Sequence, residues 1–154
     1  MQDLSRLPMR PRVLIADDHS VMAQGLRSLL EKQCEVIGVV GDGQQLLLAA
    51  PQLKPDVIVL DISMPLLNGL DAAERLKESI PDAKLVFLTM NNDYDLAEAA
   101  LKLGAVGYVL KSAAASELLR AIFDVLQGKA YVTARLRQRK LEGRGSGRIR
   151  SQES

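Results

Sequence analysis

Four short apolar runs in this chain each end on a polar group. Val13-Leu14-Ile15-Ala16 leads into Asp17-Asp18, Val57-Ile58-Val59-Leu60 into Asp61, Val86-Phe87-Leu88 into Thr89, and Tyr108-Val109-Leu110 into Lys111. Runs that are apolar throughout suit strands buried on both faces, as in a parallel sheet covered by helices on either side. If these strands are parallel, three carboxylates, a hydroxyl and an ammonium gather at one edge of one sheet. Ligands of open α/β sheets bind beyond the carboxyl ends of the strands. The pattern therefore predicts a chemical site as well as a fold.

Strands are expected to begin near Arg12, Glu35, Asp56, Lys84 and Gly107, far enough apart for a helix after each. The segments between them carry helical spacing. Met22, Leu26, Leu29 and Leu30 share one face, as do Leu96, Ala100 and Leu103, and Leu118, Ile122, Val125 and Leu126. Between Gln44 and Ala50 the helical signal is weakest, because the segment is short and Leu-rich all round. Helices are expected to stop at Pro51 and Pro55, Pro81, Gly104 and Gly128, and Asp93 and Asp95 favour the start of the fourth. The result is an α/β fold, a (βα)5 repeat with right-handed crossovers and three layers. The spacing leaves the strand order open. With no Trp, two Phe and three Tyr, the core must be aliphatic.

The net charge of +1 conceals an asymmetry. Residues 134–154 hold seven Lys or Arg against two Glu, whereas residues 1–133 are acidic on balance. Such a body does not read as a nucleic-acid binder. The expected organisation is an N-terminal arm at 1–10, one domain at 11–132, and a basic flexible tail or cut-short linker at 133–154. No DNA-binding domain is expected in this chain, since nothing after Thr133 has the apolar content for a recognition helix and its supports. One cysteine, Cys34, excludes an internal disulfide and suits a reducing compartment. No apolar run approaches the ~18 residues of a membrane span, and Met1 to Pro11 lacks a signal-peptide core, so a cytoplasmic location with no membrane contact is expected.

Three carboxylates brought close together repel one another unless a proton or a cation intervenes. Asp17, Asp18 and Asp61 thus read as a site for a hard divalent ion. Mg2+ suits few carboxylates, several waters and a phosphate ligand. Lys111 supplies a point charge for a phosphoryl group and Thr89 a donor to one of its oxygens. The constellation describes phosphoryl transfer, in which one carboxylate acts as nucleophile and forms an acyl phosphate.

These residues carry a resemblance. From about Pro11 to Val132 the chain resembles the receiver domain of bacterial two-component response regulators. The motifs are Asp17-Asp18 after strand one, Asp61-Ile62-Ser63-Met64-Pro65 with Gly69 after strand three, Thr89 after strand four, and Tyr108 with Lys111 on strand five. Asp17-Asp18-His19 and the run Gly104 to Lys111 resemble the NarL/LuxR-type subfamily. The resemblance implies a flavodoxin-like three-layer sandwich of strand order 2-1-3-4-5, an order that the general rules for such folds also give for a receiver. It implies that Asp61 accepts a phosphoryl group from a sensor histidine kinase. Mg2+ would be held by the side chains of Asp18 and Asp61, by the backbone carbonyl of Ser63, and by Asp17 through water. Lys111 would contact the phosphoryl group, Thr89 would move to hydrogen-bond it, and Tyr108 would turn inward. The chain would then act as a switch rather than a metabolic enzyme, catalysing only its own phosphorylation and dephosphorylation. It would dimerise or bind a partner through the helix 4–strand 5–helix 5 face or through helices 1 and 5. DNA would be contacted only through an output domain.

Ser112 follows Lys111 where many receivers carry a cis proline, and a trans peptide or an altered loop is expected there. A Mg2+-dependent phosphatase of the haloacid dehalogenase type also uses an aspartyl nucleophile, but it wants a second Asp two residues after the first, where this chain has His19. A flavodoxin would want a Ser/Thr-rich phosphate loop where Asp17-Asp18-His19 stands. His19 itself is expected to make an outer contact or to start helix one. Met90 is expected to shield the phosphoryl group.

Overall fold

The computed structural model describes residues 10–62, 69–90, 94–102 and 106–133. Strands and helices alternate in the expected order: β1 (Arg12–Ala16), α1 (Ser20–Leu30), β2 (Glu35–Val40), α2 (Gly43–Leu53), β3 (Val57–Asp61), α3 (Gly69–Ser79), β4 (Lys84–Thr89), α4 (Tyr94–Leu101), β5 (Gly107–Leu110), α5 (Ala114–Leu126) and β6 (Tyr131–Val132). Every strand pairing among the described residues is parallel, and the sheet order is β2-β1-β3-β4-β5-β6. The flavodoxin-like order 2-1-3-4-5 is present, extended by one strand.

Alternation along each strand divides the core into two layers. Leu14, Ile58, Leu60, Phe87 and Tyr108 pack on one face against Leu46 of α2, Leu76 of α3 and Ala100 of α4. Val13, Ile15, Val59, Leu88 and Val109 pack on the other against Leu26 and Leu30 of α1 and Leu118, Ile122 and Val125 of α5. The central strand β3 is buried at every position, which is why its sequence shows no polar alternation.

β3 begins at Val57, the first residue of its apolar run, and Asp56 joins the ladder through backbone bonds to Arg12 and Lys84. Two features differ from expectation. α2 runs through Pro51 to Leu53. Within the last turn a proline forfeits one backbone bond, and the helix ends instead at Lys54, in the left-handed region with φ 52°, before Pro55. Its start is firm, because the Asp42 side chain accepts from the Gln45 N–H at 2.8 Å. β6 has no counterpart in the sequence pattern, since two residues are too short to show periodicity. It is fixed by the Thr133 N–H donating to the Tyr108 carbonyl (2.9 Å) and by the Thr133 hydroxyl accepting from the Leu110 N–H (3.0 Å). Among the described residues there is no cis peptide and no helix long and apolar enough to cross a membrane. Asp93, Leu103, Gly104 and the segments 1–9 and 134–154 lie outside the described residues.

Candidate functional site

Strand register assembles the site. Ala16 pairs with Leu60, so Asp17 emerges beside Asp61. Asp61 pairs with Leu88, which puts Thr89 one residue further out, and Thr89 pairs with Leu110, the neighbour of Lys111. Backbone bonds continue past the strand ends: the Asp17 N–H donates to the Val40 carbonyl (3.0 Å) and the Ile62 N–H to that of Leu88 (3.0 Å). These bonds extend the ladder into the first loop residues.

Asp17, Asp61, Thr89 and Lys111 are all buried at this edge. The Lys111 ammonium, held by a short 3-10 turn over Lys111–Ala113, donates to Asp61 Oδ2 at 3.0 Å and lies 3.2 Å from Asp17 Oδ2. Burial by itself would lower the Lys111 pKa. The hydrogen bond and charge of Asp61, joined by Asp17, outweigh that effect and hold it above the ordinary lysine value. Asp17 Oδ2 meets Lys111 as an ion pair without a hydrogen bond of good geometry. Tyr108 is fully buried, its ring already inward and 6.4 Å from that of Phe87 between centroids. Ser63, expected to offer a backbone carbonyl to the metal, lies outside the described residues. Met90, one residue beyond Thr89 at the end of β4, is 71% exposed.

His19 is the residue whose place the sequence understates. It forms the N-cap of α1, as expected of the start of helix one, but its side chain makes no capping bond. Instead Nδ1 lies 3.1 Å from Asp17 Oδ1, 3.2 Å from Asp18 Oδ1 and 3.7 Å from Asp61 Oδ2. Its backbone N–H also donates to Asp17 Oδ1 at 2.9 Å. The adjacency Asp17-Asp18-His19 is the available signal, but it does not contain the side-chain direction.

Potential ligand atoms of Asp17, Asp18, His19 and Asp61 all lie within 4.8 Å of one another. The side chains of Asp17 and Asp61 are fully buried, Lys111 is the ammonium between them, and Asp17 Oδ2 lacks a hydrogen bond. Asp18 adds a third carboxylate on the His19 side of the cluster. That donor set fits a hard divalent cation: oxygen ligands in excess of local positive charge.

Comparison with known proteins agrees with the geometry. Residues 13–123 match the response regulator receiver domain family. The chain belongs to that family. It is 38% identical over 128 residues to the oxygen regulatory protein NreC of Staphylococcus epidermidis, covering 81% of this chain and 59% of that protein. Among solved structures, a two-component response regulator of the LuxR family from Aurantimonas sp. superposes with a TM-score of 0.82 at 28% identity, over 88% of this chain and 98% of the other. The isolated receiver domain of RcsB from Salmonella enterica serovar Typhimurium, solved with the phosphomimetic BeF3-, gives 0.77 at 30% identity, over 84% and 97%. This receiver thus spans about three fifths of the length of its curated relative. Nothing in these matches supports the dehalogenase-type phosphatase.

Proposed function

We propose that this receiver accepts a phosphoryl group on Asp61 from the phosphohistidine of a sensor kinase, with Mg2+ as cofactor, in the cytoplasm. The observation that carries the reading is the Lys111 ammonium bridging Asp61 and Asp17 at 3.0 and 3.2 Å at the carboxyl edge of the sheet. An Asp61 carboxylate oxygen forms the new P–O bond as the P–N bond to the kinase imidazole breaks, and the imidazole departs. Lys111 is placed to follow the charge onto the phosphoryl oxygens, and Thr89, one residue past the Asp61 register, is placed to donate to one of them. Asp17, Asp18 and Asp61 would hold Mg2+, together with the Ser63 carbonyl. The bound ion would neutralise the pocket and draw off phosphoryl charge.

Phosphorylation adds charge and acceptors near Thr89, whose register partner Leu110 lies on β5, the strand that carries Tyr108 and borders α5 and β6. The reading includes a partner or second copy engaged through the α4–β5–α5 face or through α1 and α5, and a transcriptional output exerted through a separate DNA-binding domain. β6 pairs with the outer edge of β5 at Gly107 and Tyr108, so that part of β5 is already covered by a strand.

The test is incubation with acetyl phosphate and Mg2+ followed by intact-mass measurement of the parent and Asp61→Asn. One added phosphate on the parent alone is expected. Equal uptake by both proteins, or none by either, refutes the assignment. Sedimentation velocity with and without beryllofluoride tests the dimer, and unchanged association counts against phosphorylation-driven assembly.

A further inference from the structure

We propose that Thr133 is a regulatory residue of the phosphoacceptor site, whose hydroxyl holds the end of β5 in its resting position and so opposes the phosphorylated state. The proposal rests on the phosphoacceptor reading above and adds to it a residue that sets the balance between the two states.

Three observations carry it. First, the buried polar or charged residues among the described ones are Asp17, Asp61, Thr89, Lys111 and Thr133. Four of them form the site, and the fifth lies beyond α5, just past the end of β6. Second, Thr133 is bonded into the part of β5 that the site depends on. Its N–H donates to the Tyr108 carbonyl at 2.9 Å, and its hydroxyl accepts from the Leu110 N–H at 3.0 Å. Leu110 pairs on its other side with Thr89 and is followed by Lys111. One residue thus adjoins both groups placed to meet the phosphoryl oxygens. Third, the Leu110 contact is made by a side chain. Tyr131 and Thr133 donate backbone N–H groups to the Val106 and Tyr108 carbonyls, as in a regular parallel ladder, whereas the Leu110 N–H takes a hydroxyl in place of a carbonyl. A hydroxyl is released by rotation about a single side-chain bond, which leaves the other β6 pairings intact.

The direction follows from the room available. The Lys111 ammonium stands 3.0 Å from Asp61 Oδ2, its side chain almost wholly buried and its backbone held in the 3-10 turn. A phosphoryl group on Asp61 places its oxygens before that ammonium, which withdraws to face them. A side chain with so little slack passes part of the shift to its own peptide, and the Leu110 N–H is drawn out of hydrogen-bond range of Thr133. Coupling of this kind is reciprocal: what phosphorylation takes from the Leu110–Thr133 bond, the bond takes from phosphorylation.

Amide exchange is followed by NMR on 15N-labelled parent with Mg2+, with and without beryllofluoride. Exchange at Leu110 is expected to speed up by about fivefold or more on beryllofluoride binding. In the second measurement the Thr89 amide signal reports a beryllofluoride titration of the parent, Thr133→Val and Thr133→Ser. Thr133→Val, with no hydroxyl to release, is expected to bind more tightly than the parent by a similar factor, and Thr133→Ser to match the parent. A purely structural role for the hydroxyl would leave binding in Thr133→Val unchanged or weaker, and that result overturns the proposal. Leu110 exchange that is unchanged or slowed while beryllofluoride is bound overturns it as well, with the phosphoacceptor reading left standing. A parent that binds no beryllofluoride, or an Asp61→Asn that binds it equally well, removes that reading and the proposal together. The exchange measurement needs no variant, so it decides the matter even where Thr133→Val folds poorly.

Discussion

Replacing Lys111 with Met removes the ammonium placed between two buried carboxylates while keeping an apolar stem of similar length. The substitution abolishes the 3.0 Å interaction with Asp61 and the 3.2 Å interaction with Asp17. At an effective dielectric near 20, each represents roughly 5 kcal/mol of gross attraction. Desolvating the ammonium takes back several kcal/mol. The direction of the Lys111 pKa decides the balance. Burial is the largest single influence and acts downward, yet the net shift is upward, so the carboxylates more than offset the lost hydration. Removing one partner of such a buried pair typically destabilises by about 3–5 kcal/mol. With a urea m-value of about 2 kcal/mol/M, the unfolding midpoint should fall by roughly 1.5–2.5 M. Far-UV circular dichroism in EDTA is the appropriate probe, since the chain has no Trp. Adding Asp61→Asn should recover much of the loss, because it removes one of the two carboxylates left facing each other, and a double-mutant cycle quantifies the coupling. Mg2+ should raise the midpoint of Lys111→Met more than that of the parent, since the variant pocket carries one positive charge fewer. A loss under about 1 kcal/mol in EDTA, with no coupling to Asp61, would show that attraction across this pocket does not outweigh desolvation.

Two glycines should respond to alanine with opposite signs. Gly25 is exposed on α1, and a methyl group there would have nothing within 4 Å, so Gly25→Ala should stabilise by about 0.5–1 kcal/mol in urea melts. At Gly107 a Cβ would meet Val86 at 3.1 Å and Val125 at 3.4 Å, and Gly107→Ala should cost about 1–3 kcal/mol. Thr133→Val strips the Leu110 N–H of its acceptor and should cost about 1–3 kcal/mol, whereas Thr133→Ser should stay near the parent. Equal stability of the Val and Ser forms would show that the hydroxyl does not anchor β6. Burial pushes the Cys34 thiol up, with Arg10 pulling back less. The fold therefore favours the protonated thiol. That contribution is complete below the unfolded value of 9.0 and is lost as pH climbs from there through the raised native value. Native protein at pH 8.5 should consume a thiol reagent only slowly until urea exposes Cys34.

Much of this arrangement is legible in residue order because the strands are buried on both faces. A run such as Val57 to Leu60 has no polar member, and its first polar neighbour marks the strand end within one residue. Once four such ends are aligned in parallel, the site follows from register. Strand order has no comparable signature and comes only with the family resemblance. The rest is hidden for identifiable reasons. Pro51 looks like a stop in sequence, but its missing N–H falls in a last turn that closes on Lys54. β6 involves a few residues whose pairing is set by Thr133 against Leu110, a contact between residues distant in the chain. The His19 side chain turns on a rotamer choice between capping α1 and facing the carboxylates, and local sequence allows either.

The parallel sense of β6 also fixes where the backbone departs. Thr133, one residue beyond the strand, is bonded to Tyr108 and Leu110 and so sits next to the turn that carries Lys111. Whatever is joined downstream is moored at the reactive rim, not at the opposite end of the sheet. A displacement of β5 would reach that mooring through the Tyr108 and Leu110 bonds to Thr133.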